Sequence, residues 1–237
     1  MSGIPIKVLG LQRTGTNYIS KLLTKNFPQI EIDENHGWKH GPYCGYLFDE
    51  PSVIVVSKNI YAWLPSVWKY WKLNQGLGPD LSNLSFEEFV LSSPVYLEGS
   101  IDVPYLMRAT NIVQFYQNAY FHWLSIRFSK SDRKICLVRY EDILTNYEQT
   151  LQDIATTFKL ETPKNENINH EILWNGSLDS ENEKRPFTNR DYYLNKDYME
   201  MYSDALIRFI HKEWDENVMS QLGYRLEKSK IFEEYIF

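Results

Sequence analysis

The chain has 237 residues, 43% of them hydrophobic, which suits one folded domain with a sizeable core and excludes a disordered chain. A net charge of −6 disfavours general nucleic-acid binding and a polyanionic partner, and no run nears the roughly 18 apolar residues of a membrane span. Only two cysteines occur, Cys44 and Cys136, and the first residues lack the apolar region of a signal peptide, so the expectation is a cytoplasmic protein without a disulfide framework.

The first predicted element is a short apolar strand, Ile6 to Leu9. It runs into a loop with one glycine, two threonines and an arginine: Arg13, Thr14, Gly15 and Thr16. A helical pattern follows at once, with Tyr18, Ile19, Leu22 and Leu23. Strand, tight loop, helix is the geometry that aims backbone N–H groups at an anion. An ATP- or GTP-hydrolysing P-loop needs Gly-Lys-Ser/Thr at the helix start, and Asn17 stands after Gly15-Thr16 instead.

Next comes His36-Gly37-Trp38-Lys39-His40-Gly41-Pro42. His36, His40 and Cys44 recur at helical spacing for a metal, but Gly37, Gly41, Pro42 and Gly45 argue against a helix, and no metal is expected. Ser52 to Ser57 reads as a buried strand, ending at Lys58, with Ser66 on the helix after it. That helix is crowded with Trp63, Trp68, Tyr70 and Trp71, mostly core, some available to line a pocket. Asn74 to Ser85 reads as a loop, and about 106–129 as a long helix with Ile112, Phe115, Ala119, Trp123 and Ile126 inward. A further strand from Lys134, containing Cys136, ends in Arg139-Tyr140-Glu141-Asp142. Helices are expected over 145–158 and 196–220, with a long loop from Glu161 to Asn195 between them.

These motifs, in this order, resemble the sulfotransferase superfamily, enzymes that use 3'-phosphoadenosine 5'-phosphosulfate (PAPS). The resemblance rests on Arg13-Thr14-Gly15-Thr16-Asn17-Tyr18, on Lys58-Asn59 with Ser66, and on Tyr140-Glu141-Asp142-Ile143, within residues 4–160. It implies one α/β domain over 1–237, a three-layer P-loop-like fold with a central, mainly parallel sheet flanked by helices. It also implies transfer of a sulfuryl group to a hydroxyl or amine of a small-molecule or carbohydrate acceptor, leaving adenosine 3',5'-bisphosphate (PAP). Arg13 to Asn17 would wrap the 5'-phosphosulfate, with Thr14 and Thr16 adding hydroxyl donors. Tyr18 and Tyr140 would face the base. Lys58 and Ser66 would hold the 3'-phosphate, with Arg185 in Lys184-Arg185-Pro186 as a further contact.

The sequence departs from the family pattern in having Lys58 for Arg, Ile60 for Pro and Ala62 for Asp, and in lacking a C-terminal Arg-Lys-Gly. A lysine offers a point charge where an arginine offers a fork. The acceptor must lose a proton, and histidine suits that role. The family keeps a Lys and a His close together in this interval, which implies His40 as base, Lys39 as its electrostatic partner and His36 as second choice. Two other readings stay open: a nucleotide-dependent kinase with a degenerate P-loop, and a non-catalytic nucleotide-binding protein with the same fold. Oligomeric state is not legible.

Overall fold

Strand β1 (Ile4–Leu9) is the second strand of a four-stranded sheet ordered β2 (Ile30–Ile32), β1, β3 (Ser52–Ser57), β6 (Ile135–Arg139), in which every pairing is parallel. The computed structural model describes residues 3–35, 38–41, 52–73, 83–91, 95–98, 106–125, 134–161, 163 and 190–227. The β-branched run of β3 is buried on both faces, as a central parallel strand requires. Val53 and Val55 point to one layer, Ile54 and Val56 to the other.

The first layer packs Leu9, Leu11, Val53 and Val55 against four helices: α2 (Ile60–Leu73), α4 (Ile112–Ser125), α8 (Asp204–Glu213) and α9 (Glu216–Gln221). α3 (Phe86–Leu91) adds Phe89 and Val90. The second layer packs Ile6, Val8, Ile54, Val56, Cys136 and Val138 under α1 (Thr16–Asn26), α5 (Tyr140–Thr145) and α6 (Tyr147–Phe158). The expected α/β fold, a parallel sheet between helical layers, is therefore what the chain forms. Among the described residues no helix is long and apolar enough to cross a membrane.

Three expected boundaries are corrected. Residues 106–109 are not helical: β5 (Leu106–Ala109) pairs antiparallel with β4 (Val95–Glu98). The helix begins only at Ile112, because Asn111 Oδ1 accepts the Gln114 N–H at 2.9 Å and caps it. Ile126 lies outside the described residues. The expected helix over 196–220 is three pieces: a 3-10 turn (Asp197–Met201), α8 and α9. Ser203 caps α8 by accepting from Leu206 N–H, and Asp215 caps α9 by accepting from Asn217 and Val218 N–H. Finally, the expected 161–195 loop ends in a short helix, α7 (Arg190–Leu194).

Helix α2 continues through Pro65, which has no N–H for the Tyr61 carbonyl one turn back. The Tyr202 hydroxyl, just after the 3-10 segment, donates to that carbonyl at 2.7 Å instead. Two more tyrosines act similarly at the end of β3: Tyr116 OH donates to the Lys58 carbonyl at 2.6 Å and Tyr120 OH to the Val56 carbonyl at 2.9 Å. These bonds fix the carboxyl end of the central strand, where the chain's chemistry gathers.

Candidate functional site

All three motifs lie at the carboxyl ends of adjacent strands. Leu9 ends β1, Ser57 ends β3 and Arg139 ends β6. Ser57 and Arg139 are register partners, so the next residues, Lys58 and Tyr140, emerge side by side. Lys58 Nζ accordingly sits 4.2 Å from the centre of the Tyr140 ring.

The β1–α1 loop is tightly built. Gly15, the residue before α1, has φ 96°, a left-handed conformation. A Cβ there would also lie 2.7 Å from Tyr140 Cδ2. Gly10 is needed for a different reason: a Cβ would meet the Val56 carbonyl oxygen at 2.6 Å and Thr16 Cγ2 at 2.9 Å. Arg13 is also left-handed, at φ 70°, uncommon for a residue with a side chain. It is exposed, and its guanidinium lies 5.2 Å from the centre of the Tyr70 ring.

Thr14 departs from its expected role. Its side chain is fully buried, and its hydroxyl donates to the Leu11 carbonyl at 2.7 Å. That proton is spent inside the turn, so Thr14 shapes the loop and offers no hydroxyl donor to a ligand. Thr16 is buried against Gly10. No side chain caps the N-terminus of α1, which leaves its first N–H groups facing the loop. Tyr18 is half-buried, and burial with the neighbouring Tyr147 raises its phenol to about 12.

The Trp38–Gly41 turn closes on this loop. Gly10 N–H donates to the Lys39 carbonyl at 3.0 Å, and Trp123 Nε1 donates to the Gly41 carbonyl at 3.3 Å. Lys39 Nζ donates to Asn17 Oδ1 at 2.6 Å. A cation thus stands at the start of α1, supplied by the crossover and not by the helix itself. His40 Nδ1 is 2.7 Å from the Gly10 carbonyl oxygen. A carbonyl can only accept, so Nδ1 carries the proton and Nε2 keeps its lone pair. Burial lowers the His40 pKa to about 4, with Lys39 lowering it further against the raising effect of the Gly10 bond. The imidazole is therefore neutral near pH 7. Trp38, 49% exposed, stands edge-on to it at 5.3 Å. A cavity of about 10 Å³ beside His40 is walled by Leu11, Gln12, Trp38, Trp63, Trp71 and Phe115. Trp63 and Trp71 are mainly core, and their indole N–H groups donate to the Gln12 carbonyl at 2.8 Å and to Gln12 Oε1 at 2.6 Å.

Lys58 is 3% exposed, and no carboxylate lies within ion-pair distance of it among the described residues. Its one hydrogen bond among them is to the Tyr193 hydroxyl, at 3.2 Å. Ser66 lies near the same phenol and lowers its pKa. Burial pushes the Tyr193 phenol up, but the charge and hydrogen bond of Lys58, the nearby Ser66 and the Arg13 charge outweigh it, and the net direction is down. The expected pair does converge, then, but on a residue that the sequence reads as loop. Tyr193 could not be found locally; its only signal was an aromatic Tyr192-Tyr193 pair in a polar stretch.

Glu141 is a positioning group that the sequence did not single out. Its carboxylate accepts from Asn59 N–H at 2.9 Å and from Tyr224 OH at 3.0 Å, tying the ends of β3 and β6 together. Ser57 Oγ, 3.0 Å from the Tyr224 oxygen, completes the chain. Arg185, His36 and Cys44 lie outside the described residues. Among the described residues no cluster of three or more His, Cys, Asp or Glu could hold a metal ion. Compared with known proteins, the chain matches no protein-family model, and no curated protein matches it.

Proposed function

We propose that this protein is a PAPS-dependent sulfotransferase. The observation that carries the reading is Lys58: a buried ammonium without a carboxylate partner among the described residues, separated from the N-cap Gly15 of α1 by the Tyr140 ring that both touch. A buried charge left unpaired is costly, and such a charge with free N–H groups across one ring fits an anionic ligand. The donor set fits PAPS in particular, which carries anionic groups at both ends of its sugar.

On this reading the N–H groups of the Arg13–Asn17 loop hold the 5' end, with Arg13 beside them. Lys58 and Ser66 hold the 3'-phosphate, and Tyr18 and Tyr140 face the base. PAPS supplies the sulfuryl group, and the acceptor oxygen or nitrogen forms the new bond to sulfur as the bond to the 5'-phosphate breaks. The acceptor's proton passes to His40 Nε2, whose lone pair is kept available by the Nδ1–H bond to Gly10. Lys39 and Arg13 offset charge near the transferred group.

A thermal-shift titration tests the reading with PAP, ADP and ATP, each with and without magnesium. PAP at 100 times its dissociation constant should stabilise the fold by roughly 2.7 kcal/mol, a shift of several degrees, without magnesium. Stabilisation only by ATP with magnesium would favour a kinase, and no shift with any nucleotide would sink the nucleotide site.

A further inference from the structure

The hydroxyl of Tyr193 takes the Lys58 ammonium's hydrogen bond at 3.2 Å, with Ser66 nearby. Its ring is clasped as well: Lys58 Nζ lies 4.4 Å from the centre of the Tyr193 ring, and the Tyr140 ring meets it edge-on at 5.4 Å. Nothing else among the described residues hydrogen-bonds the Lys58 ammonium. An oxygen held by a buried cation is the arrangement that a phosphate oxygen would take in the same place.

The helix that delivers this phenol is weakly held. None of the five residues of α7 is fully buried, and only Tyr192 and Tyr193 pack against the core. Its anchors are Arg190, whose Nε and Nη2 donate to the Leu144 carbonyl at 3.2 and 2.9 Å, and the contact of Tyr192 with Tyr198 at 6.0 Å. A short element with little buried surface opens at low cost. The strong contact of α7 is thus the one made by Tyr193 inside the candidate site.

We propose that Tyr193 is a built-in competitor for the 3'-phosphate: its hydroxyl holds Lys58, beside Ser66, in the ligand-free protein, and α7 must withdraw it before that phosphate enters. This inference rests on the sulfotransferase reading, because it takes Lys58 and Ser66 as the 3'-phosphate site. It makes the residue a selectivity device. A nucleotide without a 3'-phosphate has nothing to displace the phenol with, and binds, if at all, with α7 seated.

The test is calorimetric titration of wild type and Tyr193→Phe with PAP and with ADP. Phenylalanine keeps the ring against Tyr140 and removes only the competing oxygen. Losing one hydrogen bond to a charged group should tighten PAP by about 10-fold and leave ADP unchanged. PAP that binds wild type selectively, yet no tighter to the variant, overturns the inference and leaves the sulfotransferase reading standing. PAP and ADP tightened alike would also overturn it, since the phenol would not be competing with the 3'-phosphate. Failure of PAP to bind either protein overturns both. Should the variant not fold, amide exchange over 190–195 in wild type decides: PAP should speed it and ADP should not, while slowing by PAP would mean that α7 closes over the ligand.

Discussion

Lys58 Nζ lies 4.2 Å from the centre of the Tyr140 ring because β3 and β6 run parallel with Ser57 opposite Arg139. The same ring blocks any side chain at Gly15, 2.7 Å from where its Cβ would be. Tyr140 therefore joins the two halves of the candidate site, the β1–α1 loop and the end of β3. Each half carries a feature that costs the fold stability, the left-handed Gly15 in one and the buried Lys58 in the other, which makes those costs measurable.

Replacing Lys58 separates the two demands. A buried cation without a carboxylate burdens the ligand-free fold, and an apolar side chain of similar length removes the burden. Lys58→Met should leave the melting temperature unchanged or raise it, while PAP affinity falls by about 10- to 100-fold through loss of a charge-assisted contact. Melting curves with and without PAP read both effects. A variant that is strongly destabilised and still binds PAP would show that Lys58 serves the fold.

Gly15→Ala combines two penalties, the left-handed backbone at φ 96° and the collision with Tyr140. Together they should cost about 2–4 kcal/mol. In a Tyr140→Ala background the collision is gone and only the backbone strain remains, about 1–2 kcal/mol. Urea denaturation of the four proteins gives the coupling directly. Equal costs in both backgrounds would show that the ring yields freely.

His40 gives the protein a pH dependence with a definite sign. Its folded pKa, about 4, lies below the ordinary value of 6.5. Above pH 6.5 the imidazole is neutral in both folded and unfolded chains. As pH falls from there towards 4, only the unfolded chain gains the proton, and stability declines by about 2–3 kcal/mol. Below the folded value the loss is complete. His40→Asn keeps an N–H for the Gly10 carbonyl but cannot titrate, so its stability should vary less between pH 4 and 6.5 than that of wild type. Once an acceptor is in hand, the same variant should lose roughly 10²–10⁴-fold in turnover with PAP affinity retained.

Strands β1, β3 and β6 were legible in this chain, through the β-branched run of β3 and the apolar run around Cys136, whereas β2, β4 and β5, three or four residues each, were too short to carry a pattern. The loop after β1 was legible as a tight strand-to-helix turn, but not the direction of Thr14, because a threonine beside a turn is as able to bond its own backbone as a ligand. Helix breaks were hidden by continuous apolar stripes. Asn111, Ser203 and Asp215 are good capping residues, yet each sits inside a pattern that reads as unbroken helix. The meeting of Lys58 with Tyr193, 135 residues apart, has no local signature at all.

Tyr202 carries the last prediction. Pro65 denies the Tyr61 carbonyl its helical N–H, and Tyr202 OH supplies a substitute donor at 2.7 Å. Burial raises the Tyr202 phenol well above its ordinary value, so it remains a donor throughout the working range. Tyr202→Phe should cost about 1–3 kcal/mol, the penalty for an unsatisfied buried carbonyl. In a Pro65→Ala background the new alanine has an N–H for the same carbonyl, and removing the Tyr202 hydroxyl should cost under about 1 kcal/mol. A double-mutant cycle by urea denaturation measures the difference. Additive effects would mean that the carbonyl finds water when Tyr202 leaves. A positive coupling would show that the Tyr202 hydroxyl stands in for the N–H that Pro65 lacks.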